Sequence, residues 1–153
     1  MVNTILNVGD KAPEFALEDS HGNMVSTPDL IGVWSVIYFY SKDDTPGCAK
    51  EACAFRDGLE KYKKRGVRVY GISADSAESH RKFQDKYHLP FPLLVDQSRQ
   101  TIEAFGAKKD TGGTKRMTYI IDPLSYIAAI FPNVDPSAHA REILDWFDGR
   151  SLS

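Results

Sequence analysis

Val33-Trp34-Ser35-Val36-Ile37-Tyr38-Phe39-Tyr40 is followed, two residues later, by Asp43-Asp44-Thr45-Pro46-Gly47-Cys48-Ala49-Lys50-Glu51-Ala52-Cys53. The first stretch is almost continuously apolar, β-branched or aromatic, the pattern of a buried strand. From Lys50 to Arg65 the chain holds good helix formers and no interior Pro. The junction between them reads as a helix start. Thr45 suits the N-cap, where its hydroxyl can accept a hydrogen bond from a first-turn N–H. Pro46 falls at the first helical position, where its missing N–H costs nothing. Cys48 is then the third helical residue, in the positive field of the helix N-terminus and near unpaired N–H groups. Both effects favour thiolate over thiol, and cysteines so placed titrate below the free value of about 8.5. The thiolate is the nucleophile, so Cys48 is a candidate reactive cysteine.

Cys53, the second of the two cysteines, lies five residues along the same predicted helix. That spacing turns the side chains roughly 140° apart and sets the Cα atoms about 8.6 Å apart. A disulfide rarely spans more than about 7 Å. The pair therefore cannot bond while the helix is intact, and a bond between them requires its first turns to unwind. Cys48, Ala52, Phe55, Leu59 and Tyr62 recur at helical spacing and define the core-facing stripe. Cys53 sits off that stripe, beside Arg56 and Asp57. Small buried residues are the ordinary reading of two cysteines, but the strand, Thr-Pro-Gly-Cys and helix together favour chemistry. A metal site is disfavoured, because no His or Cys pair at ligand spacing completes a set of four.

Outward from the junction, Phe15–Glu18 and Met24–Ser26 flank a turn at Gly22-Asn23 and read as a hairpin. Val67–Ser73 reads as a strand after a stop at Gly66. Ala77–Tyr87 follows as a helix, with His80, Phe83 and Tyr87 on one face and His80 as a core-edge residue. Leu93–Val95 is a short strand and Arg99–Phe105 a short helix. Arg116–Ile121 and Tyr126–Phe131 read as strands joined through Asp122-Pro123-Leu124-Ser125. Ala140, Ile143, Leu144 and Phe147 mark the apolar stripe of a last helix. Strand–helix–strand units demand parallel pairing and the later hairpin is antiparallel. The expected fold is therefore α/β, a mixed central sheet with helices on both faces. Arg116 opens a strand that can lie beside Val33–Tyr40, either as a surface cation or as a fixed charge near the thiolate.

The chain of 153 residues is expected to form a single domain, residues 1–153. Its net charge of −2 gives no electrostatic case for nucleic acid or an anionic membrane as partner. No apolar run approaches the roughly 20 residues needed to span a bilayer, and the N-terminus lacks the pattern of a secretory signal. A cytoplasmic location is the expectation. In a reducing compartment two cysteines point to chemistry more than to a structural staple.

Tyr38-Phe39-Tyr40-Ser41-Lys42-Asp43-Asp44-Thr45-Pro46-Gly47-Cys48 resembles the active-site segment of the peroxiredoxins. With Cys53 five residues on, the chain is similar to the peroxiredoxin Q, or bacterioferritin comigratory protein, group. The resemblance extends from Val8-Gly9-Asp10-Lys11-Ala12-Pro13 to the last helix. It implies a thioredoxin-like fold with an N-terminal β-hairpin extension. It implies a thiol peroxidase acting on hydrogen peroxide and organic hydroperoxides in antioxidant defence, with no metal, flavin or haem cofactor. Cys48 would be oxidised to a sulfenic acid, and Cys53 would then condense with it in an intramolecular disulfide. Thioredoxin or a similar dithiol would be the recycling partner. The resemblance also assigns peroxide contact to the Thr45 hydroxyl, shielding of the thiolate to Pro46, and the active-site cation to Arg116. An intramolecular disulfide removes one reason for a dimer, so a monomer is expected. Many relatives have Thr at the position of Ala49 and Pro at that of Ser41, two departures that bear on rate and not on reaction type.

Two rival readings fit less well. A thioredoxin-type oxidoreductase calls for Cys-x-x-Cys and a Pro before the facing strand, and Lys115-Arg116-Met117 contains none. A non-enzymatic redox-sensing or binding role needs a partner surface that the sequence does not display.

Overall fold

The computed structural model of the protein describes residues 6–149. Over these the chain forms β1 (Ala16–Glu18), β2 (Met24–Ser26), a 3-10 turn (Thr27–Leu30), β3 (Trp34–Phe39), α1 (Pro46–Lys64) and β4 (Val67–Ser73). It continues through α2 (Ala77–Tyr87), β5 (Leu93–Val95), α3 (Gln100–Ala104), β6 (Met117–Ile121), β7 (Ile127–Phe131) and α4 (His139–Asp148). Each expected element is present, with ends shifted by a residue in several cases. Arg116 thus stands just before β6 and Tyr126 just before β7. Residues 1–5, part of the stretch read as lacking a signal segment, lie outside the described residues.

β1 and β2 pair as the N-terminal antiparallel hairpin, and the five other strands form one mixed sheet in the order β5-β4-β3-β6-β7. β3 is the central strand, parallel to β4 and antiparallel to β6. Its alternation divides the core. Val36, Tyr38 and Tyr40 face one layer, with Phe55, Leu59 and Tyr62 of α1, Phe83 of α2 and Ile143 and Phe147 of α4. Ile37 and Phe39 face the other, with Ile102 and Phe105 by α3 and with Phe15 and Leu30 beside the hairpin. Strand residues two apart point to the same face, so a strand apolar at nearly every position requires both layers. This is the mixed, helix-flanked, thioredoxin-like arrangement that the resemblance implies.

Phe55 anchors α1, stacked on Tyr38 with ring centroids 4.7 Å apart. Tyr62, one of the buried stripe residues, donates to the Ala140 carbonyl at 2.5 Å and ties α1 to α4. Gly66 ends the helix in the left-handed region, φ 70°. Two features of the topology place the site. Parallel pairing of β3 and β4 puts the starts of α1 and α2 at the same sheet edge. Antiparallel pairing of β6, with Phe39 opposite Met117, brings the entry to β6 beside the exit from β3.

Candidate active site

Cys48 lies in the first turn of α1, at the carboxyl end of β3, and is 1% exposed. Arg116, the residue before β6, reaches it across the sheet. One guanidinium nitrogen, Nη2, donates to Cys48 Sγ at 3.3 Å, and Nη1 donates to Glu51 Oε1 at 2.9 Å. Glu51, one helical turn from Cys48, thus aims the Arg116 fork at the sulfur. Ser41 Oγ lies 3.5 Å from the same sulfur. Burial opposes ionisation of the Cys48 thiol. The Ser41 and Thr45 hydroxyls, the Lys42 backbone and Arg116 together outweigh it and hold the thiol below its usual range. The direction is that expected, and the groups that carry it are these side chains and the Lys42 backbone.

Thr45 departs from its expected role. Its backbone has the extended N-cap conformation, φ −83° and ψ 154°, but its side chain makes no capping hydrogen bond. Thr45 Oγ1 instead donates to the Lys42 carbonyl at 3.1 Å. The left-handed turn at Asp44, φ 58°, brings the hydroxyl back over that carbonyl. A hydroxyl proton can rotate from a carbonyl to a thiolate, so Thr45 remains a partner for the sulfur while leaving the first-turn N–H groups uncapped. Pro46 opens α1 as expected.

Cys53 is half-buried and, like Cys48, a free thiol. Both sit in the uninterrupted helix Pro46–Lys64, which keeps their Cα atoms about 8.6 Å apart. The structure therefore brings Thr45, Pro46, Cys48 and Arg116 together and holds Cys53 aside.

Three further residues belong to the site. Glu51, 1% exposed, is more than a solvated helix residue: burial, against the pull of Arg116, pushes its carboxyl from 4.5 up to about 7. Its Oε2 has no hydrogen-bond partner among the described residues. Ser41 directly contacts the sulfur. Gly47 permits the close approach of Arg116, since a Cβ there would lie 3.0 Å from Nη2. A Gly directly before the cysteine was the one local signal available for this.

The loop leading to Cys48 is pinned by a buried polar network. Asp43 accepts from Tyr40 Oη at 2.6 Å and from Ser79 Oγ at 2.8 Å, and lies 2.7 Å from His80 Nδ1. Its own N–H donates to Asp75 at 2.9 Å. His80 is therefore fully buried and not the core-edge residue expected; the carboxylate of a loop 37 residues away satisfies it. Asp43, Asp75 and His80 gather ligand-type atoms within 4.8 Å of one another. Each already has hydrogen-bond partners, which marks a structural network and not a vacant metal cage.

A thioredoxin-like sheet carrying an activated cysteine at the start of the helix after its central strand defines a thiol-based redox protein. Comparison with known proteins sharpens this. The model described as AhpC/TSA family matches residues 8–130. The putative peroxiredoxin bcp of Coxiella burnetii is 43% identical over 146 residues, covering 91% of this chain and 97% of that protein. The chloroplastic peroxiredoxin Q of Sedum lineare is 44% identical over 139 residues, 89% of this chain and 75% of its own length. A Xanthomonas campestris bacterioferritin comigratory protein, solved as a trapped intermediate/ligand complex bearing on alkyl peroxide reduction, superimposes with a TM-score of 0.86. It is 30% identical, over 88% of this chain and 90% of that one. The chain belongs to the AhpC/TSA family, in its peroxiredoxin Q and bacterioferritin comigratory protein branch, and is a thiol peroxidase.

Proposed function

We propose that Cys48 is the peroxidatic cysteine and Cys53 the resolving cysteine of a thioredoxin-recycled peroxidase. The observation that carries this reading is the Arg116 fork, which joins Cys48 Sγ and Glu51 across the sheet. A fixed guanidinium stabilises the thiolate before reaction and the oxygen that leaves during it. The Cys48 thiolate attacks one peroxide oxygen, the O–O bond breaks, and the other oxygen leaves as alkoxide or hydroxide and takes up a proton. Cys48 becomes a sulfenic acid. The Ser41 and Thr45 hydroxyls and the uncapped first-turn N–H groups of α1 are the further donors for the peroxide oxygens.

The start of α1 then unwinds. Cys53 attacks the sulfenic sulfur, an S–S bond forms, and the oxygen leaves as water. An external dithiol reduces the disulfide by exchange. Hydrogen peroxide and organic hydroperoxides are both proposed substrates, the latter supported by the subject of the Xanthomonas structure. The chain acts as a single-domain monomer in the cytoplasm. Among the described residues no helix is long and apolar enough to cross a membrane.

The test is peroxide consumption with thioredoxin, thioredoxin reductase and NADPH, comparing wild type, Cys48→Ser and Cys53→Ser. The expected results are turnover, none, and at most one oxidation per chain. Full activity in Cys48→Ser overturns the site. Unimpaired turnover in Cys53→Ser overturns the resolving role alone.

A further inference from the structure

His80 is fully buried, and both ring nitrogens are engaged. Nε2 lies 2.9 Å from the Leu94 carbonyl, which can only accept, so Nε2 donates. Nδ1 lies 2.7 Å from Asp43 Oδ2, hydrogen-bonded to it. The chemistry of Cys48 uses neither residue directly, yet Asp43 stands two residues after Ser41 and two before Thr45. Asp44 is gripped as well: Lys86 Nζ and Tyr87 Oη each donate to its carboxylate at 2.7 Å. Apart from Tyr40 and Asp75, these partners of Asp43 and Asp44 all lie on α2. The same helix holds α1 downstream of Cys53, where Arg56 Nη1 donates to the Tyr87 carbonyl at 2.7 Å. Phe55, just before Arg56, is fully buried against Tyr38.

We propose that α2 is the frame against which the start of α1 unwinds, with Asp43–His80 as the positioning pair that holds the upstream end and Arg56 holding the downstream end. This rests on the Cys48–Cys53 reading above. In that step Cys48–SOH and Cys53–SH give the disulfide and water, and the Cα atoms must close from about 8.6 Å to under about 7 Å. The turns between them must leave helical geometry. The weak point is the helix start, which has no side-chain cap and an exposed Pro46. Buried, fully partnered polar groups are far costlier to open. Unwinding therefore stops at the buried Asp43 on one side and at Phe55 on the other. Ser41 and the arch at Asp43 stay in place through the cycle, so the peroxide site rebuilds on a preset edge each time the disulfide is reduced.

The test is residue-resolved amide hydrogen exchange on the reduced protein and on its peroxide-oxidised form, after mass measurement of the oxidised product. Loss of protection is expected within residues 46–54. The Asp43 N–H, bonded to Asp75, and the Tyr40 N–H, bonded to the Ile72 carbonyl at 3.2 Å, keep theirs. A Cys48–Cys53 disulfide with an unprotected Asp43 N–H overturns this proposal alone. Absence of that disulfide overturns it together with the resolving role. A second arm measures the rate constant of Cys48 with peroxide in substituted proteins. His80→Phe slows it about tenfold, the scale of a small misplacement of reacting groups. His80→Asn restores most of the rate, because its side-chain amide stands where Nδ1 does and hydrogen-bonds Asp43. His80→Gln, which reaches toward Leu94, does not. An unchanged rate in His80→Phe, or Asn performing no better than Gln, overturns the positioning role even where thermal stability falls.

Discussion

Replacing Glu51 by glutamine flattens the pH dependence of stability between about pH 4.5 and 7. Burial raises the carboxyl of Glu51 from 4.5 to about 7 despite Arg116. Below pH 4.5 the folded and unfolded chains both hold this proton, and its full contribution to stability is present. Between the two values the unfolded chain has released the proton and the folded chain has not, so stability falls as pH rises. The slope approaches about 1.4 kcal/mol per pH unit, which over about 2.5 units amounts to about 3 kcal/mol. For a chain of this size that corresponds to roughly 10 °C in Tm. Glutamine keeps an acceptor for Arg116 but has no proton to lose in this range. The assay is Tm against pH from 4 to 8, for Cys48→Ser alone and for Cys48→Ser with Glu51→Gln. Removing the thiol from both proteins takes its own ionisation out of the comparison. The two curves converge toward acid and separate by about 3 kcal/mol at neutral pH, apart from a constant offset. Parallel curves across the whole range would refute the picture of Glu51 as a carboxyl that keeps its proton in the fold.

Arg116→Gln removes the charged donor from Cys48 and Glu51; the rate constant with peroxide falls about 100- to 1,000-fold, and thiolate absorbance appears at higher pH than in wild type. Ser41→Ala removes a hydroxyl 3.5 Å from the sulfur, the foremost of the contacts that favour the thiolate, and also moves thiolate formation to higher pH; an unchanged titration would remove Ser41 from the site. Gly47→Ala places a Cβ 3.0 Å from Arg116 Nη2 and displaces the fork from the sulfur, so peroxide attack slows while stability in urea stays close to wild type. Phe55→Ala empties the stacking site on Tyr38 and costs about 3–5 kcal/mol, read as a lower urea midpoint with an unchanged m-value.

The β3–α1 junction was legible in the sequence because its signals are local. An apolar β-branched run, a Thr-Pro start and an apolar stripe at helical spacing each act over a few residues, and together they place Cys48 in the first turn of α1. The separation of Cys48 from Cys53 followed from helical geometry alone. The peroxidatic and resolving roles came from the resemblance and not from periodicity. The hydroxyl of Thr45 was misread because the αL turn at Asp44 redirects it to the Lys42 carbonyl, and no residue type signals that turn unambiguously.

Local residue patterns account for the elements, their order and the position of the nucleophile. What surrounds it comes from the packing of distant segments. Arg116 meets Cys48 because β6 runs antiparallel to β3 with Phe39 opposite Met117; a strand placed elsewhere in the sheet would leave the same arginine in solvent. Glu51 became a buried carboxyl because its face of α1 turns into the fold, where Arg116 meets it. His80 became the partner of Asp43 because parallel pairing sets the starts of α1 and α2 side by side. These contacts join residues 37 to 68 positions apart. Their geometry is set by sheet order and register, which local propensity does not encode and which only the packing of both core layers against β3 selects.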